Sequence, residues 1–250
     1  MSNLNYKIIA TGNIKLCQAK KSDIKTILGK KSAVIEKIWQ DALQKKGKLF
    51  NGLMLNFTAL KVHSKKINLS GNFVEYKQFM AGRKRPDLKL KIKPIGVSGI
   101  ILTKENGIDY VVWAQRTSNV TDYRNFFELV PSGGIDPKCL LNNGDIDYKS
   151  KLVSEFSEET GLPKKYVRYI SEFALVLDTS KNIYDICCVI FINKNRATIA
   201  KYFTSEEYDK PHFVPLKNLD TFVKTRIGSI VPTSIALIEA YVKYRSKLVT

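Results

Sequence analysis

The chain has 250 residues, a net charge of +18 and a hydrophobic share of 44%. That length suits one domain with an extension, and the ordinary apolar share argues against general disorder. No apolar run approaches the ~18 residues that span a bilayer, and residues 1–14 lack a basic flank followed by an apolar block. We therefore expect an unexported, cytoplasmic protein with no membrane partner. The four cysteines include no CxxC pair, which argues against a zinc site or a disulfide framework.

Positive charge is concentrated in the front part of the chain. Residues 1–95 hold 21 Lys or Arg against 5 Asp or Glu, a balance of +16, which leaves 20 against 18, or +2, for the rest. A basic surface of this kind attracts nucleic acid or another polyanion. Scattered lysines, rather than arginines alternating with aromatic residues, favour a solvated surface instead. A nucleic-acid partner is left open but not favoured.

The first 93 residues form a basic α+β extension in our interpretation. Alternating apolar positions predict strands, helical spacing predicts helices, and glycines mark their ends. The expected elements are a strand at 6–16, a helix that Ser22 or Asp23 can cap and Gly47 ends, antiparallel strands at 53–62 and 67–73, and a short helix at 76–81.

Residues 94–250 form a second unit in which strands alternate with helices. Asp147 is a plausible N-cap and Gly161 a C-cap for one of these helices. Strands mixed with helices predict an α/β (α+β) sandwich. The expected elements are a hairpin of strands 95–102 and 110–114, a strand at 127–130, a turn at 131–134, a helix at 149–160, strands at 169–177 and 184–192, and a final helix at 234–244.

Three carboxylates on the helix at 149–160 give the sharpest chemical indication. Glu155, Glu158 and Glu159 are spaced i, i+3 and i+4, which places them on one helix face. Together they repel, and a hard divalent cation bound by oxygen ligands compensates them. Such a cation can polarise a diphosphate and activate water. An exposed acidic face without a ligand is the alternative that the helix alone leaves open.

The segment Glu155-Phe156-Ser157-Glu158-Glu159-Thr160-Gly161-Leu162 resembles the second half of the Nudix box, G-x5-E-x7-R-E-U-x-E-E-x-G-U. The upstream segment 128–136, with Pro131-Ser132-Gly133-Gly134, resembles the strand and glycine turn that open this box. The resemblance covers residues 94–245. It implies a Nudix-type α/β/α sandwich with a mixed sheet, and a metal-dependent pyrophosphohydrolase.

Two departures from the box stand out. The box arginine, which in the family helps to hold a catalytic glutamate, is replaced by Ser154, and the gap between Gly133 and the helix is about seven residues longer. The first box glutamate has no direct equivalent, although Asp145 or Asp147 could substitute for it. All three later glutamates are present.

The resemblance implies roles for specific residues. Arg116 closes a strand where family members often place a phosphate-binding arginine, although a surface cation is an equal alternative. Glu206 and Glu207 could supply a further ligand or base, but a solvated loop is favoured for them. The implied site comprises catalytic and Mg²⁺- or Mn²⁺-binding residues Glu155, Glu158 and Glu159, a metal-ligating carbonyl of Ser132, and substrate-binding residues Arg116, Gly133 and Gly134.

The front part of the chain narrows the expected substrate. A helix with Trp39, then Leu49-Phe50-Asn51-Gly52 and a basic approach to Pro94-Ile95-Gly96-Val97, is similar to the Nudix branch that hydrolyses UDP-glucose and UDP-galactose to UMP and a sugar 1-phosphate. The alternatives are an ADP-ribose, dinucleotide or capped-RNA pyrophosphatase, and a non-catalytic Nudix domain that binds a nucleotide or RNA. The sequence leaves the base, the sugar and pairing into a homodimer open.

Overall fold

The computed structural model describes residues 5–19, 29–46, 49–120 and 122–249. The expected caps Ser22 and Asp23 and the helix end at Gly47 lie outside these ranges. Within them, no helix is long and apolar enough to cross a membrane.

Eleven strands lie within the part of the chain that the structure describes. The strand predicted at 6–16 is two strands, because Gly12 turns the chain with a φ of 145° between them. The strands are β1 (Tyr6–Thr11), β2 (Asn13–Gln18), β3 (Leu53–His63), β4 (Lys66–Glu75), β5 (Ile95–Glu105), β6 (Ile108–Arg116), β7 (Phe127–Glu128), β8 (Ser132–Gly134), β9 (Val167–Asp178), β10 (Ile183–Ile192) and β11 (Tyr208–Pro215).

Six α-helices lie within the described ranges. The predicted helices are confirmed there, and two short helices after β10 and β11 were not expected from the sequence. The helices are α1 (Ser32–Lys46), α2 (Tyr76–Lys84), α3 (Tyr148–Thr160), α4 (Arg196–Tyr202), α5 (Leu219–Arg226) and α6 (Pro232–Val249).

A mixed, eight-stranded sheet forms the centre of the molecule, with the strand order β1-β9-β10-β5-β6-β11. Its β10–β5 pair is parallel and its other pairs are antiparallel. One core lies between this sheet and α3, and a second lies between the sheet and α6. The adjacent residues Cys187 and Cys188 show this division, because their side chains alternate across β10 and enter the second and first core respectively. The predicted α+β sandwich is confirmed.

The front segment adds a strand to the large sheet and builds a sheet of its own. β1 pairs with β9, whereas β2, β4 and β3 form a separate three-stranded sheet. Ile14, Leu16 and Leu55 from this smaller sheet are buried in the same core as Leu152 and Phe156 of α3. The core that supports α3 therefore draws on both sides of the predicted 93/94 boundary.

The loop before α3 is joined to β2. The backbone amide of Gln18 donates to the carbonyl of Gly144 at 2.8 Å, and the amide of Ile146 donates to the carbonyl of Leu16 at 3.0 Å. An ion pair of 3.2 Å joins Lys15 Nζ to Asp145 Oδ1. The loop before α3 is therefore held in place by contact with the front segment.

The glycine segment differs from the predicted turn. Ser132–Gly134 forms β8 and pairs with Gly96–Ser98 of β5. The short strand fixes the backbone of this segment at the sheet edge, next to the start of α3's carboxylate face. The prediction of a turn was wrong because the pairing partner lies some 35 residues earlier in the chain.

Candidate active site

A cleft of about 660 Å³ opens between α3 and the loop that precedes β11. Carboxylates and small hydroxyl side chains dominate its walls. It is lined by Glu155, Glu158, Glu159, Thr204, Ser205, Glu206, Glu207 and Tyr208. The structure thus brings the three box glutamates together with the two loop glutamates that the sequence left as an alternative.

Helix α3 presents the three glutamates to this cleft because both of its ends are fixed. The Asp147 side chain accepts a hydrogen bond from the Ser150 amide at 3.0 Å, and Gly161 ends the helix with a φ of 70°. Leu152 and Phe156 are fully buried, and helical geometry places them next to Glu159 on the edge of the carboxylate face. This amphipathic arrangement leaves the carboxylate face free to meet a ligand.

Glu159 lies deepest of the three. Its Oε1 accepts a hydrogen bond of 3.2 Å from the backbone amide of Ser132. Its Oε2 is buried and makes no hydrogen bond within the described residues. Burial, with added repulsion from Glu155, Glu128 and Glu207, raises the pKa of Glu159 to about 8. A buried carboxylate oxygen without a hydrogen-bond donor is stabilised by a proton or by a bound cation.

Glu155 packs against the glycine segment. A Cβ atom on Gly133 would lie 2.6 Å from Cγ of Glu155, so a larger residue would displace this side chain. Lys151, one turn earlier on α3, places its Nζ 2.5 Å from Oε1 of Glu155. Glu158, in contrast, is exposed in the cleft.

A hydrogen-bonded group lies behind the cleft. Arg116 Nη1 contacts Glu128 Oε2 at 2.5 Å, and the hydroxyl of Tyr208 donates to the same oxygen at 2.9 Å. The Arg116 side chain is only 15% exposed. The arginine thus compensates a buried carboxylate, and its contact with a substrate phosphate stays a prediction.

The electrostatics of the cleft restrict its ligands. Five glutamates line it, and the neighbouring Lys151 is already paired with Glu155. An anionic diphosphate would be repelled unless cations came with it. As the side chains stand, no three His, Cys, Asp or Glu residues in the described ranges are spaced to hold a metal ion.

The predicted residues of the glycine segment lie beside the carboxylate helix. Gly133 and Gly134 lie in β8, and Ser132 at its start donates to Glu159 through its amide. Sequence reasoning missed Lys151 and Tyr208. The i, i+4 spacing of Lys151 and Glu155 was a usable indication of their pairing. Tyr208 carries no comparable pattern, because only the fold brings it to the cleft.

No protein-family model matches the sequence, and no curated protein matches it. Solved structures similar to the chain include the NUDIX domain of Shewanella oneidensis NrtR complexed with ADP ribose, which is 17% identical, covers 62% of this chain and 87% of that one, and has a TM-score of 0.42. A C. elegans Ap4A hydrolase binary complex is 13% identical over 61% of this chain and 98% of that one, with a TM-score of 0.40. RenU, a Nudix hydrolase from M. smegmatis, is 12% identical over 61% of this chain and 85% of that one, with a TM-score of 0.44.

Proposed function

We propose that this protein is a Nudix-type pyrophosphohydrolase that cleaves the diphosphate of a nucleoside diphosphate linked to another moiety. The observation that carries the proposal is the position of Glu155, Glu158 and Glu159. They resemble the box glutamates in sequence, and they face one cleft beside the glycine segment Ser132–Gly134. A merely solvated acidic face would have no cleft and no buried carboxylate oxygen.

The residues of the cleft fit Mg²⁺ or Mn²⁺. Carboxylate oxygens are the ligands these cations prefer, and Oε2 of Glu159 is a buried oxygen without a hydrogen-bond partner in the described ranges. We assign the cation to Glu155, Glu158 and Glu159, with the Ser132 carbonyl as a further ligand. When bound, it would neutralise the diphosphate and lower the pKa of a water molecule.

The protein's own groups then perform the remaining tasks. The cleft carboxylates hold the attacking water, and one of them accepts its proton as the oxygen bonds to a phosphorus atom. The bond from that phosphorus to the bridging oxygen breaks, and the second phosphate leaves. The backbone of Gly133 and Gly134 can approach the phosphates closely because glycine carries no side chain of its own.

We propose a uridine-diphosphate sugar as the substrate, with UMP and a sugar 1-phosphate as the products. The helix with Trp39 and the segments at 49–52 and 94–97 support this choice through their similarity to that Nudix branch. We propose a cytoplasmic location, which the four free cysteines support, since a reducing compartment keeps thiols unpaired.

The test is phosphate release, coupled to a phosphatase, from UDP-glucose, UDP-galactose, ADP-ribose, a diadenosine polyphosphate and capped RNA. Each substrate is assayed with Mg²⁺ and with excess chelator. We expect metal-dependent cleavage, fastest with the UDP-sugars. Cleavage of another substrate would keep the enzyme but reject the UDP-sugar. Binding of a nucleotide or RNA with no cleavage of any substrate would favour the non-catalytic alternative, which the replacement of the box arginine by Ser154 motivates.

A further inference from the structure

Lys151 joins the carboxylate helix to the segment that follows the glycines. Its Nζ lies 2.5 Å from Oε1 of Glu155 and 3.6 Å from Oδ2 of Asp136. The Lys151 and Glu155 side chains are only 19% and 15% exposed. Asp136 follows β8 by two residues and accepts from the amide of Lys138 at 2.8 Å, which fixes its carboxylate. Lys151 is thus a cation between two anchored carboxylates.

Ser154, which stands where the Nudix box has its arginine, contacts a different lysine. Ser154 accepts a hydrogen bond of 2.9 Å from Nζ of Lys164. Lys164 lies in the short 3-10 helix at 164–166 that follows α3. Lys151 precedes Ser154 by three residues, roughly one helical turn, and its Nζ contacts Glu155 directly. The lysine that contacts Glu155 is therefore Lys151, whereas the residue at position 154 contacts Lys164.

We propose that Lys151 is the positioning residue that holds Glu155 in place for the reaction, in the role left open by Ser154. The inference rests on the proposed hydrolase function. One side of Glu155 is confined by Gly133, where a Cβ atom would come within 2.6 Å of it, and Lys151 holds one of its carboxylate oxygens. The second oxygen is left for the cleft.

The geometry separates this role from substrate binding. Lys151 is not among the residues that line the cleft, so it acts on the substrate only through Glu155. Removal of its charge should leave Glu155 repelled by its neighbours Glu158 and Glu159 and free to rotate. Partners that orient the groups around a metal site contribute about 10- to 100-fold to activity or affinity when mutated.

The test compares Lys151→Met, which keeps the alkyl chain but removes the charge, with Lys151→Arg. Lys164→Met is the matched control, because Lys164 contacts the serine at position 154 rather than a glutamate. We expect kcat to fall by about 10- to 100-fold in Lys151→Met with KM changed less than about twofold, to recover in Lys151→Arg, and to stay unchanged in Lys164→Met. Mn²⁺ binding, followed by electron paramagnetic resonance, should weaken by less than kcat falls in Lys151→Met, because Glu158 and Glu159 are unchanged and a positive charge has been removed.

Asp136→Asn gives a second measurement if Lys151→Met folds poorly. Asparagine retains an oxygen for the Lys138 amide but removes the charge that anchors Lys151, so we expect a smaller fall in kcat. Wild-type kcat in both variants would overturn the positioning role. An equal loss of kcat and Mn²⁺ binding in Lys151→Met would also overturn it, because Lys151 would then support the metal site as a whole. A wild type that cleaves no substrate would overturn the proposed function, and this inference with it.

Discussion

Glu158 and Glu159 are consecutive on α3 but occupy different environments. Glu158 is exposed in the cleft, whereas Glu159 is largely buried, and burial raises its pKa to about 8. The exposed residue can exchange ligands readily, and the buried one contributes a fixed acceptor. Their separate environments allow their contributions to be tested one at a time.

We expect Glu158→Gln and Glu159→Gln each to reduce kcat by two or more orders of magnitude, on the order of the ~3 kcal/mol that one electrostatic contact supplies in a transition state. Glutamine keeps the side-chain shape, so the fold should be retained. Steady-state kinetics and circular dichroism check these outcomes. Glu239→Gln, on the exposed side of α6, is the control. Normal turnover by both cleft variants would reject the assigned roles.

Asp185 on β10 provides a pH-dependent feature outside the cleft. Its Oδ1 accepts a hydrogen bond of 2.9 Å from the Ser98 hydroxyl, and burial raises its pKa from 3.8 to about 6. The folded state therefore binds this proton more tightly than the unfolded state does. The resulting stability is fully present below pH 3.8 and is lost as the pH rises through about 6.

We predict that Asp185→Asn removes this loss. The variant should match the wild type near pH 4 and exceed its free energy of unfolding above pH 6 by at most about 3 kcal/mol. Asparagine keeps an acceptor for Ser98, so the hydrogen bond survives. Urea unfolding at a series of pH values measures the difference. A constant difference across the series would show that Asp185 does not titrate in this range.

At the scale of elements, helix α3 and the loop before β11 meet at Gly161. A Cβ atom there would lie 2.2 Å from Oγ1 and 2.7 Å from the carbonyl oxygen of Thr204. The Gly161 backbone also has a φ of 70°, which costs a residue with a side chain about 1–2 kcal/mol. The close contact therefore sets the distance between the two walls of the cleft.

Gly161→Ala should lower the free energy of unfolding by at least about 1 kcal/mol and displace the loop that carries Glu206 and Glu207. We expect a reduced kcat as well, because the cleft walls move apart. Thermal unfolding and kinetics on the same preparation measure both effects. Gly107→Ala tests the backbone strain alone, since Gly107 has a φ of 78° but no atom within 4 Å of its Cβ position. Equal effects of the two substitutions on kcat would reject the steric explanation.

The sequence predicted elements whose determinants are local. The ends of α3 followed from Asp147 and Gly161, and the carboxylate face followed from helical spacing. β8 was missed because its structure depends on pairing with Gly96–Ser98, a contact that local residues do not encode. The pairing of Lys151 with Glu155 was indicated by their i, i+4 spacing but was not used, and its second contact, with Asp136, lies beyond the helix. The candidate cleft was therefore predictable in its acidic residues but not in the groups that hold them.

At the scale of the whole molecule, the front segment completes the structure around the site. β1 extends the large sheet through β9, and Ile14, Leu16 and Leu55 fill the core beneath α3. Removal of the segment would expose apolar side chains of this core to water. Each Å² of apolar surface exposed would lower the free energy of unfolding by about 25 cal/mol. The division of the chain into two units at 93/94 remains a proposal. Because both units contribute to one core, we expect neither to fold without the other.

We predict that a fragment of residues 94–250 does not fold by itself. Its far-ultraviolet circular dichroism should lack a cooperative thermal transition, whereas the full chain should show one. Addition of a separately produced fragment of residues 1–93 should restore the transition if the shared core is the cause. A cooperative transition in the 94–250 fragment alone would show that the unit is autonomous.

The pairing between β2 and the loop at 139–147 makes the two segments depend on each other. The backbone bonds of this loop to Leu16 and Gln18 satisfy groups on both segments. Either segment without the other would leave these amides and carbonyls unpaired at the start of α3. Changes to the loop and to β2 should therefore be coupled, so that a deletion in either segment disturbs the start of α3 unless the other segment is altered with it.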